Sequence, residues 1–173
     1  LGRQVPRSTV RRFLAATEGR NYALAAEYLD LSKPAAETAA SQGPKLARQL
    51  KIVLDRTLWI DPDLLSDEPQ GDQDDHLHPA YDLVGAISAG DRVFDIFLQR
   101  VTQDDGAPIW KFAGVTVAEI PELYREFGYG WIEETLPGWL FDVSFLGVHL
   151  WLWIMLAGRG LLLYPAAMLI TWI

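Results

Sequence analysis

The chain has 173 residues, 23 acidic and 15 basic side chains, and a net charge of −8. An acidic balance of this size argues against nucleic-acid binding and against docking on an anionic lipid surface. There is no cysteine, so disulfides, thiolate metal sites and cysteine nucleophiles are excluded together.

Residues 1–6 read as a polar lead-in. Ser8 or Thr9 can cap a first helix to about Glu18, with Val10, Phe13, Leu14 and Thr17 on one face and Gly19 ending it. Residues 21–31 read as a second helix with Tyr22, Ala25, Ala26 and Leu29 inward. A small-residue connection follows over 32–42. Pro44 then opens a third helix to about Arg56, with Leu46, Leu50, Val53 and Leu54 at helical spacing. Residues 57–60 read as extended. Residues 61–80 form an acidic loop rich in Pro, Gly, Asp and His. Strand-like runs come next, at 82–88, 92–102 and 109–117, with a hairpin signal at Asp105-Gly106. A helix from Ala118 or Glu119 ends at residues 128–130. Helices, then a meander, then a helix predict an α+β fold with helices packed on a small antiparallel sheet. The same order occurs in nuclear transport factor two-like folds, whose sheet curves into a cone. This analogy of order is the finer expectation. Trp59, Trp110 and Phe112 are expected to build the core.

The last part of the chain is different in kind. Arg159 is the sole formal charge in 143–173, so residues 1–142 carry −9 against +1 in the rest. A bilayer core needs roughly 20 apolar residues in a helix. Trp151 and Trp153 stand near one end of the run and Trp172 near the other. From Trp151 to Trp172 is about 31 Å of helix at ~1.5 Å per residue, the spacing of aromatic belts at two interfaces. One spanning helix over roughly 145–173 is expected; a hairpin turning at Gly158-Arg159-Gly160 would have arms short for two spans. Arg159 would sit near the midplane, snorkelling to a headgroup or pairing with another subunit. Gly158 and Gly160 would admit a neighbouring helix, and Pro165 would kink the span. Residues 131–142 read as an interfacial amphipathic segment, with Trp131 and Trp139 toward lipid. The predicted organisation is therefore an α+β domain over 1–130, an interfacial segment over 131–142 and a transmembrane helix over 143–173. Glu133, Glu134 and Asp142 flank the span, without Lys or Arg after Arg125, which predicts the N-terminal domain outside: a bacterial inner-membrane protein with a periplasmic domain. A start at Leu1 leads to the expectation of a removed signal peptide, and an end beside the membrane to that of a longer product.

No catalytic fingerprint is found. The chain lacks a Gly-x-Ser-x-Gly elbow, a phosphate loop and a dinucleotide motif, so a non-enzymatic role is expected. Asp72, Asp74, Asp75, His76 and His78 are the weak metal candidates, since carboxylates and imidazoles so spaced can bind Ca²⁺ or a transition metal. The EF-hand pattern fails, with Leu77 at its sixth place and Leu83 at its twelfth. A solvated loop is the preferred reading, and no metal or cofactor is expected; the apolar run leaves room for lipid or pigment contacts.

Five phrases carry a resemblance: PRSTVRRFLAA (6–16), NYALAAEYLDLS (21–32), QGPKLARQLKIVLDRTLWID (42–61), APIWKFAGVTVAEIPELYREFGYG (107–130) and LPGWLFDVSFLGVHLWLWI (136–154). Together they resemble the N-terminal extracytoplasmic domain and first membrane helix of bacterial small-conductance-type mechanosensitive ion channels. Such channels conduct through a Gly/Ala-patterned pore helix followed by a cytoplasmic β domain. Residues 1–173 contain neither, so no gating residue carries over. The expected function is a membrane-anchored periplasmic interaction module, an accessory or scaffolding subunit in contact with lipid and other membrane-protein subunits. A photosynthetic reaction centre with its light-harvesting ring is one conceivable host. The alternatives are the N-terminal part of a mechanosensitive channel and, more weakly, a periplasmic ligand or metal sensor.

Overall fold

The computed structural model describes residues 3–32, 36–103 and 106–128, and the backbone alone of 36–40, 144–145 and 148–149. The chain divides into two compact units, Leu1–Gly128 and Tyr129–Ile173.

The first unit opens on α1 (Pro6–Glu18). Its start is three or four residues earlier than Ser8 or Thr9 capping would place it. Extended Val5 holds the N-cap, and Pro6, with φ already fixed and no N–H to satisfy, takes the first helical position. The Ser8 and Thr9 hydroxyls instead donate back to the Val5 carbonyl, at 3.0 and 3.1 Å. Gly19 ends the helix as expected. Helix α2 (Tyr22–Ala26) is a single turn capped by the Asn21 side chain. The expected continuation to residue 31 is lost to the sheet. Tyr28 O accepts from Phe112 N at 2.8 Å, and Asp30 N donates to Phe112 O at 2.9 Å, so the chain straightens to seal a strand edge.

Helix α3 (Ala36–Thr57) begins eight residues before the Pro44 start expected for it, and keeps Pro44 inside. Gly43 lets it lie close to α2: a Cβ there would stand 3.0 Å from both Ala26 Cβ and Leu31 Cδ1. Ala47, Leu50, Val53 and Leu54 are buried along its inner face. Residues 58–60 form no strand. Leu58 turns onto the sheet over Gly85, but Trp59 is 96% exposed, which corrects its assignment to the core.

The sheet is an antiparallel meander of β1 (Tyr81–Ala89), β2 (Arg92–Thr102) and β3 (Pro108–Phe112), in that order. A bulge between Leu83 and Gly85 interrupts the β1–β2 register. Gly90, at φ +59°, makes the tight β1–β2 turn, a conformation costly for other residues. Its inner face carries Ile87, Phe94, Ile96, Leu98, Trp110 and Phe112, all buried, and Phe112 meets Phe13 of α1 edge to face at 4.8 Å. Trp110 and Phe112 thus hold the core positions expected of them.

Helix α4 (Gly114–Phe127) takes over residues 114–117, which read as strand. Thr116 decides the matter: its hydroxyl accepts from Phe97 N at 2.9 Å, tying the first turn to β2. Ile120 and Leu123 are fully buried, and α4 packs on α3 and β2. The first unit is therefore α+β, helices on a small antiparallel sheet.

In the second unit, β4 (Ser144–Phe145) pairs antiparallel with β5 (Val148–His149). These four positions are extended, which corrects a helix starting at Phe145; aromatic and β-branched side chains favour that backbone. The rest of the expected span, with Arg159, Gly158, Gly160, Pro165, Trp151, Trp153 and Trp172, lies outside the described residues, as do Trp131 and Trp139. No helix among the described residues is long and apolar enough to cross a membrane.

Candidate functional site

Three places in the first unit hold side chains whose chemistry exceeds packing. The first is the end where the domain's last helix stops. Arg56, in the last turn of α3, donates from Nη1 to the carbonyls of Phe127 and Gly128, at 2.7 and 2.6 Å. A cation on the C-terminal carbonyls of a helix is favourable both as a hydrogen bond and against the helix dipole. This clamp fixes where the chain leaves the unit. Leu58 is wedged over Gly85, where a Cβ would come within 2.7 Å of it. Leu58 and Ile60 pack partly buried against the core, and Trp59 between them is exposed. On α4 the Tyr124 hydroxyl is buried without a hydrogen-bond partner among the described residues.

The second place is the acidic loop of residues 61–80, where the weak metal candidates lie. Their polar atoms are turned to the loop's own backbone. Asp72 Oδ1 accepts from Asp74 N at 2.9 Å, Asp75 Oδ1 from Leu77 N at 2.9 Å, and His78 Nδ1 from Ala80 N at 3.2 Å. His76 sits at φ +61°. Among the described residues no three His, Asp or Glu side chains gather as a metal site. The loop is strapped to the domain. Trp110 Nε1 donates to Pro69 O at 3.1 Å, and Gly71, at φ +78°, lies against the indole. Arg7 holds Leu65 O at 3.0 Å and Asp67 at 2.8 Å, and Arg11 pairs with Asp63. Beneath the loop lies Asp82, 3% exposed, its Oδ2 accepting from Asp72 N at 3.0 Å. Burial pushes the Asp82 carboxyl above the usual range; the Asp72 N–H opposes this, and the charges of Asp75 and Asp72 add to it.

The third place is an open recess of about 300 Å³ beside the β3 edge, walled by Ala23, Ala26, Leu31 and Pro44, with Glu27 and Lys111 as its charged members. Lys111 is half-buried. Burial holds its amine below the ordinary lysine range, and the charge of Arg3 acts the same way; Asp30 and Glu27 oppose them. Arg3 is committed elsewhere, to Glu27 O at 2.9 Å, to the Glu27 carboxylate at 3.7 Å and to the Tyr28 ring.

Matched against protein-family models, curated proteins and solved structures, the chain finds no counterpart in any of the three.

Sequence reasoning missed Asp82, Lys111 and Tyr124 as notable groups. A signal existed for two of them. Asp82 and Lys111 are lone charges inside runs of strand formers, Tyr81–Ala89 and Pro108–Phe112. Nothing in the helical pattern of α4 marks Tyr124, because its orphaned hydroxyl is a property of the packing.

Proposed function

We propose that residues 3–128 are a non-enzymatic, extracytoplasmic interaction domain. The apolar run 143–173 tethers it to a membrane, and it serves as an accessory or scaffolding part of a larger membrane assembly. The observation that carries this reading is Trp59. An indole 96% exposed is unusual on an ordered frame, and Trp59 stands three residues after Arg56, whose guanidinium holds the last carbonyls of the unit. Tryptophan, apolar with one polar N–H, is the side chain best suited to a headgroup interface. The spanning reading of 143–173 is supported by its composition, one charge among apolar residues with tryptophans near both ends. A cone-like sheet of the nuclear transport factor two-like kind is supported by the element order and by the β1 bulge, which raises local twist.

The test exploits the absence of cysteine. Trp59→Cys and Ser88→Cys, each labelled with an environment-sensitive dye, are compared in the full chain in nanodiscs. The dye at 59 should emit blue-shifted light and be quenched by headgroup-labelled lipid, while the dye at 88 should not. Equal, water-like emission at both positions would overturn the membrane-facing reading. A second reading makes the assembly a mechanosensitive channel, supported by the five long phrases given above. Tension-gated conductance from the complete gene product in liposomes would favour it. Pull-down of a stable, non-channel partner would favour the accessory role, with a photosynthetic complex as one host to look for.

A further inference from the structure

The outer edge of β3 is closed by backbone on both sides of Lys111. Trp110 N donates to Arg3 O at 2.7 Å, and Phe112 exchanges hydrogen bonds with Tyr28 and Asp30. The strand cannot shift, so the place from which the Lys111 side chain springs is fixed. Its amine forms no hydrogen bond or ion pair among the described residues. Two carboxylates are near, but Glu27 is engaged by Arg3, and Asp30 Oδ1 accepts from Ser32 N at 3.1 Å. The Lys111 amine is not sealed from solvent, so an incoming anion would exchange water for a direct ion pair at the mouth of the recess.

The recess beside it has the complementary character. Its walls at Ala23, Ala26, Leu31 and Pro44 are apolar and small, and at about 300 Å³ it lies at the lower end of the range for small-ligand sites. One ammonium balances one charge. A second negative charge would meet Glu27 and the acidic surface, which disfavours phosphate dianions and leaves a carboxylate. We infer that the recess between α2, Pro44 of α3 and Lys111 binds a small monocarboxylate with a short apolar tail, its carboxylate on the Lys111 amine. This goes beyond the interaction role proposed above and stands without it.

The chain has four lysines, Lys33, Lys45, Lys51 and Lys111, which makes the site readable by competitive acylation and mass spectrometry on the full chain in nanodiscs. Hexanoate is the probe. Acylation of Lys111 should slow saturably as hexanoate rises through the millimolar range. Lys51, paired with Asp55 on α3, should keep its rate. Protection should strengthen from butyrate to hexanoate by about two- to four-fold per methylene, the increment for burying apolar surface. Ala23→Phe, which puts a ring into the recess at an exposed helical position, should abolish protection and leave Lys111 reactive. The inference is overturned if hexanoate leaves Lys111 labelling unchanged, if acetate protects as well as hexanoate, or if Ala23→Phe is protected like the parent chain. The first of these results would assign the lysine stem to covering apolar surface with its head in water.

Discussion

Trp110→Phe tests whether the acidic loop is held to the domain by one side chain. The Trp110 ring is fully buried, its Nε1 donates to Pro69 O at 3.1 Å, and Gly71 lies against the far edge of the indole. Phenylalanine keeps a ring in the core but removes the N–H and the atoms facing Gly71. The lost hydrogen bond, with the Pro69 carbonyl left partly buried, costs about 1–2 kcal/mol. The void left by the missing atoms adds about 1–2 kcal/mol. A loss of about 2–4 kcal/mol follows. For a unit of this size that lowers Tm by about 4 °C per kcal/mol. The location of the loss is more diagnostic than its size. Glu68 lies in the strapped loop and Glu18 at the end of α1. In limited proteolysis of the full chain with a glutamate-specific protease, the variant should be cut at Glu68 at least about 10-fold faster than the parent, since opening by 1.4 kcal/mol is tenfold in population. Cleavage at Glu18 should change far less. Equal acceleration at both sites, or a Tm within about 2 °C of the parent's, would refute the idea that the indole is the strap.

Asp82 gives a pH prediction with a definite sign. Its folded-state carboxyl is raised, so its contribution to stability is fully present below its unfolded value of about 3.9 and is lost as pH rises through the folded value. The difference in urea midpoint, parent minus Asp82→Asn, should therefore fall between pH 4 and pH 7. A difference that stays flat or grows with pH would show that burial does not dominate this carboxyl. Glu119 is shifted the same way, mainly by burial, but it is present in both chains and cancels. For Tyr124→Phe, deleting a buried hydroxyl without a partner should leave stability unchanged or raise it by up to about 1 kcal/mol. A loss of more than about 1 kcal/mol on chemical denaturation would reveal an acceptor.

The legible parts of this fold are those in which one local signal acted alone. Residues 92–102 alternate and are rich in strand formers, and they form β2 over that same range. Gly19 stands at the C-cap of α1, where a glycine after a helical pattern is a common stop. The α+β order, three helices before the meander and one after, survives intact. Misreadings arose where two signals competed and a distant contact chose between them. Val115, Thr116 and Val117 have strand propensity, yet the Thr116 bond to Phe97 N starts a helix. Pro44 is a good first helical residue, so a helix beginning before it goes unread. Trp59 lies in an irregular stretch, where no period says which side chains face inward, and its exposure is decided by Leu58 filling the space over Gly85. Of the candidate site, the acidic loop was visible in composition but its self-capping was not. Hydrogen bonds such as Asp74 N to Asp72 and Leu77 N to Asp75 need only local backbone geometry, which composition does not display.

The bond between Arg3 O and Trp110 N, with Thr9 Oγ1 3.4 Å from Trp110 O, joins the first described residues of the domain to the last strand of its sheet. It also sets a timetable for folding. A chain delivered N-terminus first, from a ribosome or through a translocation pore, presents α1 long before β3 exists. Phe13 then has no Phe112 to pack against, and the sheet edge that Tyr28 and Asp30 seal has not arrived. Closing a loop of about a hundred residues adds little entropy beyond that of a shorter one, but it must precede the contacts that reward it, which slows folding. The domain therefore stays open until residue 112 is delivered. Any factor that guards it during synthesis or export has to act before that moment, on an apolar α1 face that is afterwards buried.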